Sequence, residues 1–384
     1  MNAGHLNRRD FIRRGIVSAA TIQIAATGSL SYAETPASNP LPRWKGFNLL
    51  DYFLPKPFAG HLTTDDDLKW ITDLGFNFVR LPMAYPRYVD FDESKDITPA
   101  DVCKINEREV DRIEALVRKA QDKGLHVSIN LHRAPGYCIN AGFREPYDLW
   151  KSKEAQEAFT FHWGMWGKRF KNVSSSKISF DLLNEPAVRF DLNDQTAIST
   201  AVPGELYRKV AKGAIDVIHA ANPKHLVIAD GNDVGMHVTP ELKDLNIAQS
   251  CRGYFPHYIS HYKAPWANKD PERCPMPVWP GTLNGERFDK ARLEAFYKPW
   301  IDLVKGGIGV HCGECGCWNK TPHQVFHAWF QDVLQILTAN KIGYALWNFR
   351  GDFGILDSGR EDVEYQDWYG HKLDGKLLEL LKKY

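Results

Sequence analysis

Six short apolar runs in this chain end on polar, aromatic or titratable groups, and those groups are the first candidates for chemistry. Arg80 closes Phe78-Val79-Arg80-Leu81-Pro82, and His132 follows Asn130-Leu131. Asn184-Glu185-Pro186 follows Asp181-Leu182-Leu183, and Tyr254 and His257 lie in Gly253-Tyr254-Phe255-Pro256-His257. Glu314 stands in Gly313-Glu314-Cys315-Gly316, and Trp347 in Leu346-Trp347-Asn348. Burying an unpaired glutamate at the end of an apolar run is costly, so Glu185 and Glu314 need a use. Two carboxyl groups brought together, one protonated and one ionised, can act as acid, base or nucleophile. Taken singly, Arg80 is equally a partner for a buried carboxylate, His132 a hydrogen-bonded core histidine and Trp347 core packing.

Groups at run ends meet only if the runs are neighbouring strands. The strand candidates are residues 44–50, 76–83, 126–131, 178–183, 225–229, 249–255, 308–312 and 343–347. Most are β-branched or aromatic and apolar at nearly every position, as in parallel strands buried on both faces. Between them, residues 65–74, 105–123, 152–171, 206–221, 289–304 and 322–339 carry apolar side chains at three- and four-residue spacing, with a weaker helical stretch at 239–245. Eight strands alternating with helices predict a single (β/α)8 barrel, in which functional groups collect where strands end and loops begin. An open doubly wound sheet is the runner-up. It lacks support, because Gly46-Phe47-Asn48 is no phosphate-binding turn.

The strand-end residues resemble glycoside hydrolase family 5, the cellulase family of clan A. The resemblance covers residues 44–384 and rests on Asn184-Glu185-Pro186 in strand four and Gly313-Glu314-x-Gly316 in strand seven. Arg80, His132, Tyr254 and Trp347 each lie in the strand that the family pattern requires. Trp347–Gly351 and Gly370–Asp374 resemble exported bacterial members. The resemblance implies a retaining β-glycosidase with Glu185 as acid/base and Glu314 as nucleophile, and no metal or organic cofactor. Arg80 and the Tyr254 hydroxyl would keep Glu314 a carboxylate. Asn184 would bond the sugar 2-hydroxyl, His132 would bond neighbouring hydroxyls, and Trp347 would floor the subsite before the cleaved bond. Such hydrolysis needs carboxyl groups about 5 Å apart, with one held protonated by its surroundings.

One position departs from the pattern. The family usually has His two residues before the strand-six Tyr, and Arg252 stands there. His257 or His261 is then the imidazole available to the site, or Arg252 alters the acid's environment. The implied substrate is a β-1,4-glucan, with mannan, xyloglucan and short β-glucosides behind it. Loops at residues 133–151 and 255–288 would shape the specificity.

The whole chain has 384 residues, 43% hydrophobic and 25% charged, with a net charge of +1. That composition excludes disorder and fibrous repeats, and the absence of a basic stripe argues against nucleic acid as partner. The 12 Trp, 15 Tyr and 20 Phe suit both core packing and platforms for sugar rings. Of the seven Cys, Cys312 and Cys315 have ligand-like spacing, so a metal-binding module is a competing hypothesis. Alternation along a strand ending at Cys312 would send such ligands to opposite faces. A non-catalytic sugar-binding barrel is the other competitor, disfavoured because both glutamates are retained.

Residues 1–33 look like an export signal. Arg8-Arg9-Asp10-Phe11-Ile12 resembles a twin-arginine motif and precedes an uncharged stretch ending Ser31-Tyr32-Ala33. An uncleaved anchor or a basic amphipathic helix are the other uses of such a segment. Cleavage would take four Arg and one Asp from the net +1, leaving −2. Residues 34–43 are a Pro-, Ser- and Ala-rich linker, and residues 44–384 the catalytic domain. No segment is long and apolar enough to span a membrane. A monomer located in the periplasm or medium is expected.

Overall fold

The computed structural model describes residues 38–55, 62–140, 145, 147–191 and 199–384. The segment 1–33 read as an export signal lies outside them, as do 141–144 and 146 in one of the loops expected to shape specificity. The chain divides into residues 1–35 and a compact unit running from Pro36 to Tyr384.

Eight parallel strands form the centre of that unit: β1 (Lys45–Asn48), β2 (Phe78–Ala84), β3 (His126–Ala134), β4 (Ile178–Asp181), β5 (Leu226–Asp230), β6 (Ala248–Gly253), β7 (Val310–Cys315) and β8 (Gly343–Leu346). Each pairs with the next in sequence, and β1 pairs with β8, so the sheet closes into a barrel. The (β/α)8 reading is therefore correct. Helices at Asp65–Asp73, Glu107–Asp122, Lys153–Arg169, Gly204–Ala221, Lys290–Lys305 and His323–Ala339 cover the sheet. They form where the three- and four-residue spacing predicts, because each buries one apolar stripe. In the first, Thr64 caps the Asp67 amide while the Asp67 carboxylate returns to the Thr64 amide at 2.8 Å.

Three local outcomes differ from expectation. The stretch at 239–245 is a 3-10 helix, Pro240–Leu245, opened by proline and stopped by Asn246 in the left-handed region. The C-terminal hairpin, pairing Gln366–Trp368 with His371–Leu373, and the helix Gly375–Lys383 were not anticipated. Strand β7 continues past Cys312 to Cys315, with register irregularities around residues 312–315. Glu314 therefore sits inside a strand at a bulge, not on the loop beyond it. Bulges of this kind re-aim a side chain.

Tight closure of the barrel explains one glycine. A Cβ on Gly46 would lie 1.7 Å from the Phe78 carbonyl oxygen of the neighbouring strand. Outside the sheet, the core is dominated by Leu, Ile, Val and large aromatics, among them the fully buried Trp163, Trp166, Trp300 and Trp329. The interior of the barrel toward the C-terminal ends is different. Asn48, Arg80, Asn130, Asp181, Asp230 and Arg252 are all buried there, and they set up the site.

Candidate active site

At the C-terminal face the strands bring Arg80, Asn184, Glu185, Tyr254 and Glu314 to one place. Arg80 on β2 is the base of the arrangement, with its side chain 1% exposed. Its Nε donates to Asp181 Oδ2 at 2.7 Å and its Nη1 to Glu314 Oε1 at 2.7 Å. Nη1 also reaches Asn48 Oδ1, and Nη2 reaches Asn184 Oδ1, both at 3.0 Å. Tyr254 donates its hydroxyl to Glu314 Oε2 at 3.2 Å. Both Glu314 oxygens thus face donors.

Glu185 is held through its backbone as well as its side chain. Its φ of 47° places a non-glycine residue in the left-handed region, a conformation costing about 1 kcal/mol or more that persists only when neighbours enforce it. Those neighbours are Asp230, which accepts the Glu185 amide at 3.0 Å, and Tyr137, whose hydroxyl donates to the Glu185 carbonyl. Burial and the nearby Glu314 charge push the Glu185 carboxyl up from an ordinary 4.5 to about 7, against the pull of Arg252.

The departure at position 252 resolves clearly. Arg252 is buried and donates from Nε to Glu185 Oε1 at 2.9 Å. It also binds Asp230, Asn184 and Glu314. Neither His257 nor His261 takes that place. His257 starts a one-turn helix on the cleft wall, exposed and 5.2 Å ring to ring from His261, and His261 Nδ1 pairs with Ser260. The expectation that one of them stands in for the missing imidazole at the acid is corrected: a guanidinium occupies the position.

His132 and Trp347 line the same cleft, with ring centroids 5.5 Å apart. His132 Nε2 pairs with Asn140 Oδ1 at 2.8 Å. Burial, reinforced by Arg80, lowers this ring to about 3, so it acts as a neutral hydrogen-bonding group. Asn184 gives its oxygen to both arginines, and its Nδ2 has no partner among the described residues. That amide is the group left for a ligand hydroxyl. The cleft measures 1210 Å³ and carries Phe53, Trp266, Trp318, Trp347 and Phe353 along its walls. Trp266 and Trp318 meet edge to face at 4.5 Å.

Asp181 and Asp230 were missed by the sequence reading. Each ends an apolar strand, which was a usable signal, but their partners lie on other strands. Burial and the Asp230 charge push Asp181 up to about 7. For Asp230, burial works in the same direction, yet Arg252 and Arg80 outweigh it and hold the carboxyl below its usual range.

Among the described residues, no group of three or more His, Cys, Asp and Glu side chains is placed to hold a metal ion. Cys312, Cys315 and Cys317 are buried free thiols that donate to the carbonyls of Glu314, Ala345 and Ile259, each at 3.3 Å. They buttress the backbone around Glu314.

A closed (β/α)8 barrel with two glutamates in an aromatic-walled cleft defines the class of a glycoside hydrolase. The sequence pattern of the family described as "Cellulase (glycosyl hydrolase family 5)" matches residues 34–352, and the chain belongs to that family. It is a glycosidase that hydrolyses glycosidic bonds. Its relatives include Endoglucanase C of Acetivibrio thermocellus, 24% identical over 330 residues that cover 79% of this chain and 89% of the relative. Cellodextrinase A of Ruminococcus flavefaciens is 26% identical over 286 residues, covering 72% and 76%. A solved glycoside hydrolase structure superposes with a TM-score of 0.80 at 33% identity, covering 89% of this chain and 99% of the other.

Proposed function

We propose that the protein is a retaining endo-acting β-glycosidase of the β-1,4-glucan type, exported through its N-terminal twin-arginine segment. The observation that carries the mechanism is the unequal treatment of the two glutamates. Arg80 and Tyr254 donate to Glu314, while burial and the Glu314 charge hold a proton on Glu185 near neutral pH. Two carboxyls sharing one guanidinium, as these share Arg252, suit the short separation of a retaining pair.

In the first step a Glu314 oxygen attacks the anomeric carbon, and the bond from that carbon to the glycosidic oxygen breaks. The Glu185 proton goes to the departing oxygen. With Glu314 esterified, its charge is gone, and Glu185 becomes the base that takes a proton from water. Water then attacks the anomeric carbon, and Glu314 leaves as a carboxylate. Asn184 Nδ2 bonds the sugar 2-hydroxyl, a contact that strengthens as positive charge develops at the ring. His132 bonds adjacent hydroxyls and Trp347 supports the sugar face. Arg80 and Tyr254 hold the nucleophile in place by hydrogen bonds, and His257 offers a further contact on the cleft wall. The glucan preference is supported by relatives named endoglucanase and cellodextrinase and by the open, aromatic-walled cleft.

Removing each glutamate tests the roles. Glu314→Ala should lose turnover on every substrate, because no glycosyl-enzyme can form. Glu185→Ala should still react with a dinitrophenyl β-cellobioside, whose leaving group needs no proton. Azide should then rescue its second step with a β-glycosyl azide as product. Rescue of Glu314→Ala with a β-azide and of Glu185→Ala with an α-azide would reverse the roles. An α-anomer as the first-formed product by proton NMR would mean inversion and end the double-displacement reading. Faster cleavage of mannan than of β-glucan in a polysaccharide panel would end the glucan assignment.

A further inference from the structure

Arg252 is heavily engaged in the barrel interior, and its guanidinium reaches both glutamates. Its side chain is 2% exposed. Nε meets Glu185 Oε1 at 2.9 Å. Nη1 meets Asp230 Oδ1 and Ser250 Oγ, each at 3.1 Å. Nη2 reaches Asp230 Oδ2, Asn184 Oδ1 at 2.9 Å and Glu314 Oε1 at 3.4 Å. Asp230 in turn accepts the Glu185 backbone amide. One residue therefore fixes the Glu185 side chain and its partner fixes the Glu185 backbone, in a closed loop of three residues from the segment after β4, from β5 and from β6.

The surroundings are shaped around that guanidinium. Tyr297 donates its hydroxyl to the Arg252 carbonyl at 3.2 Å. Gly235, at φ +75°, leaves the space for the Arg252 stem, since a Cβ there would lie 2.3 Å from Arg252 Cγ. Asp233 and Val234, just before it, are also in the left-handed region. A β-branched residue does not adopt that conformation without cost. The chain after β5 thus accepts strain along the segment that makes room for Arg252.

We infer that Arg252, acting with Asp230, is the positioning residue that controls when Glu185 donates and when it accepts a proton. The inference rests on Glu185 being the acid/base. A planar guanidinium suits the task because its fixed fork can hold two carboxyls and an amide in one geometry, which a lysine cannot. The charged and titratable groups facing Glu185 are Tyr137 beyond β3 and Asp230 from β5, with Arg80 and Asp181 behind them in the same cluster. Arg252 and Tyr254 follow from β6 and Glu314 from β7, with Arg189, Asp233 and His257 on the cleft walls. Burial, Glu314 and Asp230 favour the protonated acid, and Arg252 opposes them. Once Glu314 is esterified, its charge no longer competes for the guanidinium. Arg252 then favours an ionised Glu185, the form that activates water.

The test uses the full chain labelled with 13C at glutamate Cδ, the Glu185 signal being assigned by its loss in Glu185→Gln. Arg252→Met should move the Glu185 titration upward by about one pH unit or more, a tenfold change in proton affinity. Asp230→Asn keeps an acceptor for the Glu185 amide but removes a negative charge, so it should move the titration downward. Arg252→Lys keeps a cation and should rise less than Arg252→Met, and it serves if the methionine variant does not fold. With 4-nitrophenyl β-cellobioside, the alkaline limb of kcat/KM should follow the same two directions. A role confined to holding the fold would lower the Tm of the Arg252 and Asp230 variants without opposite titration shifts. An unmoved Glu185 signal in Arg252→Met, or shifts of one sign in both variants, would overturn the inference. Full turnover by Glu185→Gln would instead overturn the acid/base assignment, leaving the electrostatic coupling to be read from the NMR titration.

Discussion

Replacing Glu185 by glutamine keeps the size of the side chain and an oxygen for Arg252 Nε, but removes the group that titrates. The consequence for stability follows from the linkage between proton binding and folding. The Glu185 carboxyl lies at about 7 in the folded protein against an ordinary 4.5, so the folded state binds its proton more tightly than the unfolded chain. A raised acid contributes its stability fully at low pH and loses it as pH climbs through the folded value. Each pH unit between the two values is worth about 1.4 kcal/mol. The side chain is 12% exposed, so solvent screening does not erase the effect.

Native protein should therefore carry a penalty from Glu185 of about 1 kcal/mol at pH 5 and about 3 kcal/mol at pH 8, a penalty absent from Glu185→Gln. With an unfolding entropy of about 2 cal/mol/K per residue, a barrel of this length gains about 1 °C in Tm at pH 5 and about 4 °C at pH 8. Differential scanning calorimetry of the two proteins across that range is the assay. A Tm gap that does not widen with pH would show that Glu185 is not held protonated by its surroundings. A variant that becomes less stable at high pH would refute the reasoning outright.

Two other outcomes follow from the same geometry and the same sequence. Tyr254→Phe removes one hydroxyl donor to Glu314 Oε2, a charge-assisted bond, and should lower kcat/KM on a β-glucan oligosaccharide by about 10- to 100-fold with little change in Tm. An undiminished rate would detach Tyr254 from the work of Glu314. Replacing Arg8 and Arg9 together by lysine should leave the protein in the cytoplasm on cell fractionation, and normal export of that variant would exclude the twin-arginine route.

The strands and long helices were legible because each is specified locally. An uninterrupted apolar run between helical patterns has few places to go except a buried parallel strand. The site residues on strand ends, Arg80, Asn184, Glu185, Tyr254 and Glu314, could be named for the same reason: barrel geometry converts a position in a run into a position in space. What failed was long-range. The bulge in β7 depends on pairing with β6 and β8, so Glu314 was placed one element too late. Asp181 and Asp230 read as ordinary strand ends, since nothing in Ser179-Phe180-Asp181 or Ile228-Ala229-Asp230 says which arginine each will meet. For the missing imidazole the sequence left His257, His261 and a change made by Arg252 side by side, because a residue type does not say which group will reach the acid. The folded chain sets Arg252 against Glu185, two positions before Tyr254 and near the end of β6.

The interior charges explain why an arginine can stand there at all. Arg80 and Arg252 face Asp181, Asp230, Glu185 and Glu314, so two cations meet four carboxyls at the floor of the cleft. A proton on Glu185 removes one of the surplus negative charges. In the proposed glycosylation step Glu185 loses its proton to the leaving oxygen while Glu314 loses its charge to the ester. The net charge of the cluster is then the same before and after the bond breaks. Moving a charge within a fixed set of partners costs far less than creating one, because the guanidiniums are already oriented. The two arginines therefore need not move during the step: Arg80 stays on Asp181 and Arg252 on Asp230. The anionic end of the pair passes from Glu314, held by Arg80, to Glu185, held by Arg252.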